Sequence, residues 1–206
     1  TNQFHGSAYY YGYNQDLIGT KYPYLDGTGY APKYQKQTQY NMGVTLGGPI
    51  IKNKLFFFAN YERTNKEYPN LYGVDSGNSK VNTEQAKDIL TMLQNIAEKQ
   101  GVNFNDYYSN QDIYTKSDKA GLKLDWNINE FNKFAIRWSL VKAEQVSGGG
   151  SASGLNSYGY SYPFKSNTNS FIAELQSRFS PSVSNEARVG CVSVRDSRDI
   201  EAHLPM

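Results

Sequence analysis

Few residues of this chain have the side chains and the spacing that catalysis or metal binding requires. The 206 residues include two histidines, His5 and His203, near opposite ends, and one cysteine, Cys191. His5 and Ser7 share a face of the first predicted strand, but same-face neighbours are about 7 Å apart from the strand rise alone, too far for a base to activate a nucleophile. One cysteine and two distant histidines cannot close a zinc site. We therefore expect no enzymatic activity, no resident metal and no cofactor.

Three further features could have carried chemistry. The oxygen-rich segment 103–112 is a weak candidate for Ca²⁺ in an outer loop, since it lacks the regular acidic spacing of a calcium loop. Segment 147–154 is rich in Gly and Ser and predicts a flexible loop tip; it lacks the Gly-Lys-Ser/Thr that follows a phosphate cradle. A net charge of +2, with basic residues spread along the chain, predicts no nucleic-acid partner.

The elements that would position any site are predicted by strict alternation along about seven short segments. Successive side chains of a strand point to opposite faces, so each segment presents one face without charge and one polar face. This is typical of a strand with lipid outside and water inside. The apolar positions are Tyr40, Met42, Val44 and Leu46; Leu55, Phe57, Ala59 and Tyr61; Ala120, Leu122, Leu124 and Trp126; Phe134, Ile136, Trp138 and Leu140; Phe171, Ala173 and Leu175; and Ala187, Val189 and Cys191.

Connections between the segments alternate between short and long. Outer-membrane barrels have short periplasmic turns and long extracellular loops, so this order predicts an up-and-down meander across a membrane. Gly47, Gly48 and Pro49 suit a tight reversal and predict the first turn. The predicted short turns lie near 47–54, 127–132 and 179–184, and the long loops at 14–36, 64–117 and 143–167.

Both ends of the chain suggest one part of a larger barrel. The sequence begins without a signal peptide and stops after the seventh strand, in 200–206. Nothing pairs that strand back to the first, and an open sheet edge in lipid leaves costly unpaired N–H and C=O groups. No run of about 18 apolar residues marks a spanning helix, which is expected when half of each strand faces water.

Two more patterns concern aromatic residues and a helix. Tyrosines at strand ends suit the aromatic girdles of a barrel, although tyrosine also favours strands in general and loop tyrosines could contact a ligand. Asn82, with Gln85 three places on, predicts a capping box, and helical spacing continues to a stop at Gly101. We expect the apolar face of this helix to pack on neighbouring loops, with membrane-surface binding as a lesser alternative. The tyrosine clusters are Tyr9, Tyr10, Tyr11 and Tyr13; Tyr22 and Tyr24; Tyr107 and Tyr108; and Tyr158, Tyr160 and Tyr162.

The residues also resemble a known family. Segment 1–11, TNQFHGSAYYY, and segment 46–62, LGGPIIKNKLFFFANYE, are similar to the start of the barrel in TonB-dependent outer-membrane receptors of the Oar-like group, whose members carry a carboxypeptidase-regulatory-like domain ahead of the plug. Segments 118–138 and 180–198 resemble the following hairpins. The plug, the TonB-binding box and most of the barrel are absent from this chain. The resemblance implies that residues 1–206 are part of a barrel of about 22 strands with a plug in its lumen.

The resemblance further implies an outer-membrane protein that imports a nutrient with energy delivered through TonB. Its partners would be outer-membrane lipid, the TonB complex through the missing N-terminal region, and a surface lipoprotein or other subunit over the loops. In a plugged barrel we expect the inward charges to pair mostly with each other and with the plug rather than with a ligand. Those charges are Lys119, Lys123, Asp125, Arg137, Glu174, Arg178, Glu186 and Arg188.

The sequence leaves other functions open. The barrel could anchor surface loops for adhesion or for assembly with partner proteins, in which case it would need no plug. A soluble all-β sandwich is a weaker alternative, because it would bury one face of each sheet against the other. The sequence thus predicts an all-β, antiparallel transmembrane barrel, about seven strands of a larger one, with long extracellular loops of which one carries a helix.

Overall fold

Seven long strands form one antiparallel sheet. The computed structural model describes residues 2–17, 22–23, 30–31, 36–70, 82–101, 113–146 and 162–199. The long strands pair in the order β1-β4-β5-β6-β7-β8-β9, while β2 and β3 pair only with each other. The elements are β1 (His5–Asn14), β2 (Tyr22–Pro23), β3 (Tyr30–Ala31), β4 (Thr38–Ile51), β5 (Leu55–Tyr68), α1 (Thr83–Lys99), β6 (Ile113–Asn127), β7 (Asn132–Val146), β8 (Pro163–Ser180) and β9 (Val183–Arg198).

The connections confirm the predicted meander. Short turns at 52–54, 128–131 and 181–182 define one end of the sheet, here the turn end, and the long connections 15–37, 69–112 and 147–162 define the other, the loop end. Every strand is longer than its alternating segment. Pairing continues between polar residues toward the loop end, for example from Lys116 to Glu144, because backbone hydrogen bonds do not depend on an apolar face.

The prediction that Gly47, Gly48 and Pro49 form the first turn is wrong. All three lie within β4 and pair with β5, and the reversal follows at 52–54, where Asn53 takes a positive φ of 61°. Gly48 lies beneath the ring of Phe4, which a side chain at position 48 would displace. Proline cannot donate to a sheet ladder, and the register shifts between Pro49 and Ile51. The close approach of the Phe4 ring explains the glycine at position 48, and the bulge after Pro49 accommodates the proline; neither residue forms the turn.

One face of the sheet is apolar and has no second layer against it. The register aligns the alternating apolar positions of the long strands on this face, here called the apolar face. Leu122, Trp126 and Trp138 remain 43, 42 and 37% exposed. Among the described residues the buried apolar side chains are Ala86, Val146 and Pro49 alone. A sandwich would bury this face in a core, so the described part of the chain excludes that alternative.

The tyrosine cluster of β1 is divided between the two faces. Only Tyr10 lies on the apolar face, where its ring stacks on Tyr40 at 6.2 Å. Tyr9, Tyr11 and Tyr13 point to the polar face, so the girdle prediction is wrong for these three. The reason is register, since consecutive residues of a strand cannot share a face. Side chains of the clusters at Tyr22 and Tyr24, Tyr107 and Tyr108, and Tyr158 and Tyr160 lie outside the described residues.

The predicted helix is confirmed as α1. Asn82 is its N-cap, and its side chain accepts a hydrogen bond from the Gln85 backbone N–H at 2.9 Å, while the Gln85 side chain accepts one from the Asn82 backbone N–H at 3.2 Å. The helix ends at Lys99, before Gly101 with φ 69°. None of the described strands contacts α1, and the loops on which its apolar face is predicted to pack lie outside the described residues. No helix in the described part of the chain is long and apolar enough to cross a membrane.

Candidate functional site

The second face of the sheet, here called the polar face, carries the charges that alternate with the apolar positions. Strand register and alternation place all eight charged residues predicted for this face on it. Six of them form ion pairs within this face: Lys119, Lys123, Asp125, Glu174, Glu186 and Arg188. The exceptions are Arg178, whose guanidinium lies 5.6 Å from the centre of the Phe131 ring, and Arg137. The polar face is therefore the candidate functional surface, and most of its charge is internally neutralised.

A network near the centre of the polar face crosses four strands. Tyr9, Gly43, Glu62 and Lys119 occupy one row across β1, β4, β5 and β6. Glu62 accepts a hydrogen bond from the Tyr9 hydroxyl at 2.6 Å and pairs with the Lys119 ammonium at 2.7 Å. The Tyr9 ring passes over Gly43, where an added Cβ would lie 2.6 Å from ring atoms. Glycine at position 43 is what lets a side chain on β1 reach across β4 to β5.

A second network lies toward the turn end on β8 and β9. The Arg188 guanidinium is held between Glu174 at 2.9 Å and Glu186 at 2.7 Å. Glu174 also accepts a hydrogen bond from the Gln176 amide at 2.6 Å. Exposed pairs of this kind each contribute little stability, about 0–1 kcal/mol, but together they fix the orientation of one cation and two carboxylates.

Arg137 stands apart from both networks. It lies directly opposite Lys123 on the neighbouring strand, and like charges in that position repel. Lys123 is neutralised by Asp125 at 2.7 Å, whereas Arg137 makes no ion pair within the described residues. Both cations line a concave region of about 350 Å³ together with Glu174 and Arg188. Of the cations that line this region, Arg137 and Lys133 make no ion pair within the described residues.

Of the residues considered for catalysis and metal binding, His5 and Ser7 line one concave region of about 450 Å³ together with Asp125, but no hydrogen bond among the described residues joins His5 to Ser7. The Ser7 hydroxyl hydrogen-bonds to the Thr45 hydroxyl at 2.7 Å. His203 and the calcium candidate 103–112 lie outside the described residues, as does the loop tip 147–154. Within the described ranges, no group of three or more His, Cys, Asp or Glu side chains could hold a metal ion. The contacts among the described residues of the polar face include ion pairs, hydrogen bonds and a cation–ring contact.

The girdle prediction placed Tyr9 on the face that meets lipid, and the alternating pattern alone does not reveal the role of Gly43. A glycine in the interior of a strand weakens the strand, and it often marks a place where another group approaches the backbone closely. The glycine at position 43, inside an alternating segment, was therefore the sequence signal for such a close approach. Gly121 is a second case, because the Asn60 side chain occupies the space above it.

The family follows from comparison with known proteins. The outer membrane beta barrel domain matches residues 1–75 and 75–203, which is nearly the whole chain. The chain belongs to this family. The outer membrane is therefore its location, and the sheet is a section of an outer membrane beta barrel whose apolar face meets lipid and whose polar face lines the lumen. The turn end is then periplasmic and the loop end extracellular.

One part of the chain is similar in sequence to a protein named as a transporter. The TonB-dependent transporter Oar of Myxococcus xanthus is 40% identical over 62 residues, which cover 30% of this chain and 6% of that transporter. The chain therefore spans only a small fraction of the relative's length. No solved structure matches the chain.

Cys191 provides a test of which face of the barrel meets lipid. It lies on the apolar face of β9, opposite Phe171, whereas the next residue, Val192, faces the lumen opposite Ser170. In outer membranes containing the full-length protein, we expect a water-soluble maleimide to label Cys191 slowly, because the reagent does not enter hydrocarbon. A Val192→Cys variant that also carries Cys191→Ser should be labelled much faster. Equal labelling of the two thiols in folded protein would contradict the assignment of faces.

Proposed function

We propose that this chain forms part of the barrel of a TonB-dependent receptor of the Oar-like group that imports a nutrient across the outer membrane. The observation that carries the proposal is the similarity to the TonB-dependent transporter of Myxococcus xanthus. Membership of the outer membrane beta barrel family and a lumen face rich in ion pairs are consistent with it. A passive anchor for surface loops would have the same two faces, so the similarity to the transporter is what favours import.

The barrel proposed here is closed by strands beyond the seven described. β1 and β9 are the edges of the described sheet, and unpaired edges in lipid cost several kcal/mol per group. A barrel of about 22 strands is wide enough to hold a plug. In such a lumen Arg137 would meet a carboxylate of the plug or an anionic group of the cargo, since no acidic side chain described here neutralises it. We expect plug contact to predominate, as for the other lumen charges.

The proposed partners follow from that role. TonB would deliver energy through an N-terminal plug region, outer-membrane lipid would surround the apolar face, and a surface lipoprotein or another subunit is a candidate to cover the extracellular loops. We propose no enzymatic activity, because the Ser7 hydroxyl hydrogen-bonds to Thr45 and no hydrogen bond among the described residues joins it to His5.

Growth of deletion strains tests import. We expect a strain lacking the full-length gene to grow poorly on at least one defined nutrient at limiting concentration, and a strain lacking TonB to fail on the same nutrient. Reintroducing the full-length gene should restore growth only where TonB is present. If the deletion strain used every tested nutrient normally but lost a surface phenotype such as adhesion, anchoring would replace import as the function.

A further inference from the structure

The apolar face changes character abruptly near the extracellular end of the strands. On β7 the outward positions run through Ile136, Trp138 and Leu140, and the next outward residue is Lys142. The same row carries Asn167 on β8 and Arg195 on β9. The alternating segments alone indicate that charged side chains are confined to the lumen. The positions of Lys142 and Arg195 show that they are not. They also form an outward-facing row immediately above the apolar band.

Three basic residues of this region lie close together on adjacent strands. Lys142 and Arg195 flank Asn167 in one row, two strand spacings or about 10 Å apart. Lys165 lies two residues before Asn167 on β8, on the same face and nearer the loop end. All three cations are exposed. We call Lys142, Lys165, Arg195 and Asn167 the basic rim.

Acidic neighbours neutralise one cation of the basic rim, Lys165, but leave the other two, Lys142 and Arg195, without an ion pair among the described residues. Asp118, opposite Lys142, pairs with Arg63 at 3.5 Å and accepts the hydroxyl hydrogen bond of Tyr61. Glu144 accepts a hydrogen bond from the Tyr114 hydroxyl at 2.5 Å. Asp199 pairs with Lys165. Lys142 and Arg195 make no ion pair with any described residue.

The height of the rim fits the headgroup level of the membrane. Lys142 is eight residues beyond Phe134, the outward aromatic residue near the periplasmic turn of β7, which corresponds to about 27 Å along the strand. At a strand tilt of about 40° this is about 21 Å along the membrane normal, close to the apolar band of about 25 Å in such barrels. The rim therefore lies where the hydrocarbon ends on the extracellular side.

We propose that the basic rim binds the phosphate of an anionic lipid in the outer leaflet. Lys142 and Arg195 approach the phosphate from two sides, Asn167 donates a hydrogen bond between them, and the acyl chains extend along the apolar residues below. A phosphate fits because it accepts several charge-assisted hydrogen bonds at once. The proposal rests on the outer-membrane location and on charge placement, and is independent of nutrient import.

Reconstitution with lipid A tests this proposal. The full-length protein is placed in phosphatidylcholine vesicles with or without lipid A, and bound lipid A is measured. We expect a Lys142→Gln and Arg195→Gln double variant to bind about 25-fold more weakly, because each basic residue near an anionic surface contributes about fivefold. The charge-preserving Lys142→Arg and Arg195→Lys double variant should bind like the wild type. Lys52→Gln, at an exposed turn of the periplasmic end, should also have no effect.

Several outcomes would overturn the proposal. If the glutamine variant bound lipid A as well as the wild type does, the basic rim would not be the lipid A binding site. Full competition by inorganic phosphate alone would indicate a simple anion site rather than a lipid surface. If the glutamine variant does not fold, as judged by heat-modifiable gel mobility, salt titration of the wild type remains decisive: binding by the rim must weaken with salt, and salt-independent binding would contradict it.

Discussion

Ile136→Arg in the full-length protein is expected to lower the free energy of unfolding by about 2 to 4 kcal/mol, the cost of turning a cation to lipid near the bilayer midplane. Ile136 lies between Phe134 and Trp138 on the apolar face of β7, opposite Leu124 on β6 and Ala173 on β8. No described side chain of opposite charge lies in that row to compensate. Urea titration of the barrel in lipid vesicles, followed by tryptophan fluorescence, measures the change.

A matched control uses the same new side chain on the other face of the same strand. Ser139 faces the lumen between Gly121 and Ser170, both small, so an arginine there reaches water. We expect Ser139→Arg to change the unfolding free energy by less than about 1 kcal/mol, as is usual for an exposed substitution. If Ser139→Arg were the more damaging of the two, lipid and water would be on the opposite faces from those assigned here.

Alternation could reveal the membrane-spanning part of each strand because it is a local property of the sequence. Leu122, Trp126, Ile136 and Trp138 all lie on the apolar face, as their spacing predicts, and the capping residues Asn82 and Gln85 begin α1 as expected. Both signals depend only on neighbours in the sequence. Topology followed from connection lengths for the same reason.

Features that depend on contacts between strands could not be predicted from a local pattern. Whether Tyr9 or Tyr10 meets lipid depends on the register against β4, and four aromatic residues in five positions leave the alternation ambiguous. The turn after β4 was misplaced because glycine suits both a reversal and a close approach. Only the ring of Phe4, distant in sequence, distinguishes the two at Gly48.

The lumen networks and the basic rim have a similar origin. The sequence predicts that Glu62 and Lys119 share a polar face, but their contact at 2.7 Å requires that β5 and β6 be neighbours in this register. The outward charges lie above the apolar band, beyond the ends of the alternating segments. They therefore do not disturb the alternation of apolar and polar residues and could not be recognised from it. In the sequence, Lys142 therefore marks only the point where the alternating segment of β7 ends.

Gly43→Val is expected to destabilise the barrel by about 1 to 2 kcal/mol, although valine favours strands. Overpacking costs about 1 to 3 kcal/mol, while the gain in strand propensity is at most about 1 kcal/mol, so the steric term predominates. The clash arises because the Tyr9 ring occupies the space above Gly43 to reach Glu62. Displacing the ring also breaks that hydrogen bond and leaves Glu62 with Lys119 alone. Urea titration in lipid vesicles reports the loss.

The Tyr9→Ala background shows whether the ring is the cause. Without the ring, Gly43→Val should be neutral or slightly stabilising, so the double-mutant cycle should give a coupling of about 1 to 3 kcal/mol. Tyr9→Phe keeps the ring and removes only the hydroxyl, and should cost about 0.5 to 1.5 kcal/mol for the bond to Glu62. An equal penalty for Gly43→Val with and without the ring would mean that the glycine serves the backbone of β4 itself. The row across β1, β4, β5 and β6 would then be a set of neighbours rather than a network that depends on Gly43.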